Sequence, residues 1–161
     1  MKTAIIGLGS IGSRVAANLT AGNQNVIVSQ RYLAKAAEFA RKLDGKAEVM
    51  PIDEAVKAAD IVILAVWFDA NKDLIGMHRK DLAGKIVIDP SNPIAPDGKG
   101  GFKKIIPADQ SSGAIIAGLL PSGVALVKAF GTLSAESLGK SANRAPERAV
   151  LFYATDDPNA G

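Results

Sequence analysis

The sequence predicts an α/β fold: a doubly wound, mainly parallel sheet with helices on both faces. Three observations predict it. Short apolar runs rich in Val and Ile alternate with helix-forming stretches along the whole chain. Two of these runs, Asp60–Val66 and Lys85–Asp89, are almost continuously apolar inside their ends, as strands covered on both faces must be. The first helical stretch repeats its apolar residues every four positions, at Ile11, Val15 and Leu19, so that it has one face to bury. At 161 residues, 48% of them hydrophobic and 22% charged, the chain has the size and balance of one domain with a core that needs no staples.

In chain order, Lys2–Ile6 reads as a short buried strand stopped by Gly7. A helix follows from Ser10 to Ala21 and ends at Gly22. Val26–Val28 is a second apolar strand. Leu33–Leu43, rich in Ala, Lys and Glu, is a helix closed by Gly45. Ala47–Met50 is a weak third strand and Ile52–Ala58 a short helix. Asp60–Val66, Lys85–Asp89 and Val124–Phe130 continue the strands, with Ala149–Ala154 the last. Asp89–Gly101 packs three prolines and four Gly or Asn into thirteen positions and reads as a loop, as does the polar stretch Gly139–Pro146.

Composition removes several chemistries. With no cysteine there are no disulfides, thiolate metal sites or thiol nucleophiles, and one histidine, His78, leaves no basis for a histidine metal cluster. No metal site is expected. The longest apolar run, Ile61–Phe68, is too short to span a bilayer, and glycines interrupt the N-terminal stretch before it resembles a secretory signal. The expected location is cytoplasmic, with no membrane partner. A net charge of +3 is too small to imply nucleic acid. Its distribution is uneven: the first fifty residues carry seven Lys or Arg against three Asp or Glu, and the remainder is nearly balanced. The positive excess points to an anion near the N-terminal third.

Gly7-Leu8-Gly9-Ser10-Ile11-Gly12 matches G-x-G-x-x-G directly after a strand and at the opening of a helix. In that context Gly7 permits the tight turn, Gly9 the close approach of a pyrophosphate, and Gly12 the packing of helix on strand. The alternative is a strand–helix turn that binds nothing. The second strand ends in Val28-Ser29-Gln30-Arg31, with no acid before Glu38 to hold a ribose 2′-hydroxyl. Arg31, nineteen residues beyond Gly12, suits a 2′-phosphate, and Lys35 adds a charge one helical turn further on. The hydroxyl of Ser29 supports the same choice. The site is therefore expected to be a Rossmann-type site for NADP rather than NAD. The alternative for Arg31 and Lys35 is two solvated surface cations.

These motifs, with Ile61–Val66, Val87-Ile88-Asp89-Pro90-Ser91-Asn92-Pro93-Ile94, Leu120-Pro121, Val127–Leu133 and Tyr153–Asp157, resemble the coenzyme F420-dependent NADP oxidoreductase family over essentially the whole chain. The resemblance implies one NADP-binding domain over residues 1–161, transferring a hydride between NADPH and F420 or a flavin-like acceptor, with no side chain doing acid–base catalysis. It places Leu8, Gly9, Ser10 and Ile11 on the pyrophosphate and Gln30, Arg31 and Lys35 on the 2′-phosphate. Val66 and Asn92, with their neighbours Trp67 and Pro93, belong near the ribose and nicotinamide, and Leu133 and Ala135 in a loop beside the nicotinamide ring. It also implies a small-molecule redox partner, a homodimer, and a C-terminal helical part beyond Asp157-Pro158, which read as an N-cap and first helical position; the expectation is that this chain is truncated before that part. The alternative function is an NADPH-binding or redox-sensing module without turnover, or a reductase of another small substrate.

Three further stretches admit two readings each. Trp67 and Phe68 end the fourth strand, either stacking on a cofactor ring or packing the loop. Asp97–Lys104 is a glycine-rich basic loop, either a lid for an acidic ligand tail or a solvated loop. His78, in a basic stretch after a helix, reads as a surface histidine rather than a catalytic one.

Overall fold

The computed structural model describes residues 1–141, 145–147 and 149–160. The elements run β1 (Thr3–Ile6), α1 (Gly12–Ala21), β2 (Val26–Ser29), α2 (Leu33–Ala40), β3 (Ala47–Val49), α3 (Ile52–Ala58), β4 (Ile61–Leu64), α4 (Phe68–His78) and β5 (Ile86–Asp89). They continue with β6 (Ile94–Pro96), β7 (Phe102–Lys104), α5 (Ser112–Leu119), β8 (Ala125–Ala129), α6 (Ala135–Lys140) and β9 (Tyr153–Thr155). Seven strands form one sheet in the order β3-β2-β1-β4-β5-β8-β9. Every pairing in it is parallel except that of β8 with β9. The expected doubly wound α/β sheet is the observed one.

Alternation along the strands divides the core in two. Ala4, Ile6, Val62, Leu64 and Val87 face α3, α4 and α5, against Val56, Phe68, Ile75 and Ile116. Ile5, Val26, Val28 and Ile63 face the other way, onto Val15 and Ala16 of α1, Ala40 of α2 and Leu138 of α6. Both faces are thus apolar, so the strand sequences show runs instead of alternation. The chain order reverses between β1 and β4, where β1 leads to β2 on one side and β4 to β5 on the other. This switch point opens a crevice at the carboxyl ends of the strands. Among the described residues no helix is long and apolar enough to cross a membrane.

Several sequence expectations change. The Asp89–Gly101 loop contains β6, which pairs antiparallel with β7. The turn residues encode a chain reversal: Asp97 Oδ1 accepts the N–H of Lys99 at 2.7 Å and of Gly101 at 2.9 Å. The final strand is Tyr153–Thr155 rather than Ala149–Ala154, because only its last residues reach the register of β8 (Val127 opposite Thr155, Ala129 opposite Tyr153). The fourth strand ends at Leu64, so Trp67 and Phe68 do not close it; Trp67 is the N-cap of α4 and Phe68 its first residue. His78 is the last residue of α4, not a residue beyond it. Of the polar stretch Gly139–Pro146, Gly139 and Lys140 belong to α6, and 142–144 lie outside the described residues. The helix α5, SGAIIAGL, is apolar or small on every side and so shows no periodicity.

Candidate functional site

The carboxyl ends of β1, β2, β4, β5 and β8 all open onto one edge of the sheet, and each brings a predicted residue there. The first is the glycine turn. Gly7, at φ +96°, takes the left-handed backbone that a side chain resists, and its N–H donates to Ser29 O at 2.8 Å. A Cβ on Gly7 would stand 2.5 Å from Ala65 O, and one on Gly12 would stand 1.9 Å from Gly7 O. These two glycines are therefore required by packing. Gly9 differs: a Cβ there meets nothing within 4 Å, so this glycine leaves open space on the crevice side.

The helix behind this turn begins at Gly12, two residues later than the predicted Ser10. Ser10 and Ile11 stay in the turn, and Ile11 is an N-cap with no capping side chain. The first turn of α1 carries no acidic residue either. The N–H groups of Ser13 and Arg14 already donate to Gly9 O at 3.1 Å and Ile11 O at 3.0 Å, so what this helix end presents is its positive dipole end, with no protein anion in its first turn. Ser13 Oγ donates to Gly9 O at 2.7 Å and Arg14 Nη1 to Ser10 O at 3.1 Å, which holds the turn from the helix side.

Beyond β2 the chain exposes Arg31, Tyr32 and Lys35, and Gln30 before them is half-buried. Lys35 Nζ lies 5.5 Å above the Tyr32 ring. Tyr32 is an aromatic that sequence reasoning passed over; its place at the N-cap of α2, 63% exposed beside two cations, is what marks it. Ser29 needs a correction. It is fully buried and donates its hydroxyl to Met50 O at 2.6 Å, so it ties the end of β2 to the end of β3 instead of facing a phosphate.

Val66 and Trp67 follow β4 on the far side of the switch point. Val66 is half-buried against Gly7, while Trp67 is 59% exposed and packs on Phe102 of the β6–β7 hairpin, ring centroids 6.3 Å apart. The hairpin residues Lys99, Lys103 and Lys104 are exposed. Phe102 is a second missed residue, invisible without the hairpin that brings it 35 positions back to Trp67. After β5, Asn92 is exposed and Pro93 half-buried; Asn92 Nδ2 donates to Gly131 O at 3.1 Å, joining the loop after β5 to the loop after β8. Leu133, half-buried, lines a cavity of about 300 Å³ with Val15, Leu19 and Leu138. Ala135 is not in a loop: it is the first residue of α6, whose N-cap Ser134 accepts the N–H of Ser137 at 3.1 Å. Among the described residues no group of three or more His, Asp or Glu gathers as a metal site would require.

The backbone N–H groups of Lys99, first, and Gly101 hold the Asp97 carboxyl below its ordinary 3.8. A depressed carboxyl supports the turn fully above 3.8 and loses that support as pH falls through its lower folded-state value. Trp67 is the only tryptophan, so its emission reports on the hairpin it touches. Acidification below 3.8 is expected to shift that emission, and Asp97→Ala to show the acid-form emission already at neutral pH. An Asp97→Ala protein that still follows the wild-type acid transition would rule out this origin.

The model of the family described as NADP oxidoreductase, coenzyme F420-dependent, matches residues 2–93, from β1 through the turn at Pro93. The F420-dependent NADP reductase of Methanothermobacter marburgensis is 29% identical over 148 residues, which are 86% of this chain and 66% of that protein. A hypothetical protein from Sinorhizobium meliloti superposes with a TM-score of 0.88 at 32% identity, covering 99% of this chain and 76% of that one. A candidate F420-dependent NADP reductase from Arthrobacter sp. FB24 does so with a TM-score of 0.84 at 21% identity, over the same shares of the two chains. The chain spans 66% or less of the length of the curated relatives it matches. The family match takes in the glycine turn, the end of β2 with Arg31, the end of β4 and the Asn92 loop, and on that extent the chain belongs to the coenzyme F420-dependent NADP oxidoreductase family.

Proposed function

We propose that this chain binds NADP(H) at the carboxyl edge of its sheet and serves hydride exchange with F420 or a flavin-like acceptor. The observation that carries the reading is the pairing of the open Gly9 turn before the uncapped, acid-free start of α1 at Gly12 with the exposed Arg31–Tyr32–Lys35 group one strand away. The first suits a pyrophosphate; the second suits an adenosine 2′-phosphate, with a guanidinium for the phosphate and a ring for the base. Leu8, Gly9, Ser10 and Ile11 would hold the pyrophosphate, and Gln30, Arg31 and Lys35 the 2′-phosphate. Val66, Asn92, Pro93 and Leu133 would surround the nicotinamide half.

When bound, NADPH supplies the hydride, and the residues of this chain have three tasks: to hold, to orient and to keep water away. The Trp67–Phe102 pair offers an exposed aromatic surface beside the crevice, next to Lys99, Lys103 and Lys104. A planar acceptor with an acidic tail suits both parts of that surface. A small-molecule redox partner, a cytoplasmic location and a homodimer complete the proposal. The exposure of Trp67 and Phe102 also favours a second reading, in which NADPH binds without turnover. Titration of NADPH fluorescence tests the first step, and loss of the NADPH absorbance band with F420 or FMN tests the second. Saturable binding with oxidation is expected. Binding without oxidation by either acceptor selects the module, and no binding removes both readings.

A further inference from the structure

At the carboxyl ends of β5 and β8 lies a largely buried polar cluster for which the glycine turn and the Arg31 group have no use. Asp89 of β5 and Lys128 of β8 are cross-strand partners. Asp89 is fully buried, and Lys128 Nζ donates to its Oδ2 at 2.8 Å and to Ser91 O at 2.6 Å. Asn71 of α4, also fully buried, donates through Nδ2 to Asp89 Oδ1 at 2.8 Å and to Ser91 Oγ at 3.3 Å. The N–H of Ser91 donates to Asp89 Oδ1 at 2.8 Å. Each polar group of Ser91, its N–H, carbonyl and hydroxyl, is therefore held by the Asp89, Lys128 and Asn71 side chains.

Ser91 passes this constraint to its neighbour. Asn92 bridges to Gly131 O, and Gly131 packs so closely that an added Cβ would stand 3.0 Å from Pro90 O. Phe130, just before Gly131, takes φ +64°, a left-handed conformation uncommon for an aromatic residue. The ends of β5 and β8 are thus locked to one another through Lys128, Ser91, Asn92 and Gly131. Only the Asp89 side of this ion pair is fully buried, the Lys128 side chain remaining 24% exposed, and such a pair is a weak device for stability, since taking a charge from water cancels much of the attraction. Asn71 also leaves its Oδ1 with no hydrogen-bond partner among the described residues. Such an arrangement is costly as core and specific as geometry.

We propose that Lys128, with Asp89 and Asn71 behind it, is a positioning residue that sets the Asn92–Gly131 corner for the nicotinamide half of a bound dinucleotide. The proposal rests on the nucleotide reading above. It makes the adenosine and nicotinamide halves of the site separable, because Arg31 and Lys35 lie at the far end of the sheet, beyond β2.

The test compares 2′,5′-ADP, which carries only the adenosine and its 2′-phosphate, with NADPH, by calorimetric or fluorescence titration. Lys128→Met alone strands a buried carboxylate and risks unfolding, so the double variant Asp89→Asn with Lys128→Met, which removes both charges together, is the second protein measured. A melting curve shows that each variant is folded. The folded variant is expected to bind 2′,5′-ADP within about twofold of wild type and NADPH about tenfold more weakly, since the corner no longer arrives preorganised. Equal weakening for the two ligands, or unchanged NADPH affinity, overturns the positioning role. Wild-type protein that binds neither ligand overturns the nucleotide reading itself, a result distinct from either of those.

Discussion

Gly12→Ala is expected to damage the fold, whereas Gly9→Ala damages only binding. A Cβ on Gly12 would lie 1.9 Å from Gly7 O and 2.9 Å from Ala65 Cβ, so β1, α1 and β4 would have to separate where they pack most closely. Overpacking of this kind costs about 3 kcal/mol when the obstacle is backbone that cannot rotate away. At about 2–4 °C per kcal/mol for a chain of this size, the melting temperature should fall by about 6–12 °C. Gly9 carries neither burden: no atom lies within 4 Å of its Cβ position, and its backbone is not left-handed. Gly9→Ala should therefore stay within about 0.5 kcal/mol of wild type in thermal unfolding. Its methyl group would project into the space where a pyrophosphate must approach the backbone, and NADPH affinity should drop about tenfold. Thermal melts and NADPH titration of the two variants separate the roles. If Gly9→Ala binds NADPH normally, the phosphates are not held at this turn.

Arg31→Glu is expected to weaken NADPH binding about 10–100-fold while changing NADH binding far less. The range corresponds to one charge-assisted guanidinium–phosphate pair, about 1.5–3 kcal/mol, exchanged for repulsion at an exposed site. NADH has no 2′-phosphate to repel, so its loss should be confined to base stacking. Because Arg31 and Lys35 are both exposed, the effect should shrink with added salt. Lys35→Ala should move the same ratio in the same direction by a smaller factor, since an ammonium makes a point contact where a guanidinium makes two. Equal losses for NADPH and NADH in Arg31→Glu would sink the 2′-phosphate assignment. Stability should barely change, as no hydrogen bond within the described residues involves the Arg31 side chain.

The legibility of the chain varied with the distance over which each feature is decided. The alternation of strands and helices, the apolar runs Ile61–Leu64 and Ile86–Ile88, and the turn from Gly7 to Gly12 are set by residues a few positions apart. Local propensity and periodicity carry that information. The place of Arg31, exposed after β2, follows in the same way from counting along one strand–helix–strand unit. In the β6–β7 hairpin, Pro93, Pro96 and the glycines signal a turn without saying that its arms pair. The helix α5 was silent because it has no polar face to set a period. Ser29 looked available for phosphate by composition, but the carbonyl that takes its proton belongs to Met50, twenty-one residues on.

By itself the sequence determined the doubly wound sheet, the edge of it that faces the crevice, and the glycine and arginine positions suited to an anion. Each of these follows from short-range sterics, from apolar spacing, or from a charge placed a fixed number of residues after a turn. To the packing role expected of Gly12 the tertiary structure added that Gly7 too is held against Ala65, while Gly9 faces open space. It alone brought Phe102 to Trp67, closed Ser29 away, and gathered Asn71, Asp89, Ser91 and Lys128 beneath the Asn92–Gly131 corner. The reason is physical: a clash, an aromatic contact and a buried hydrogen bond each need two groups far apart in sequence to meet within a few ångströms. For Asp89 and Lys128 it is the register of the parallel strands β5 and β8 that makes them meet.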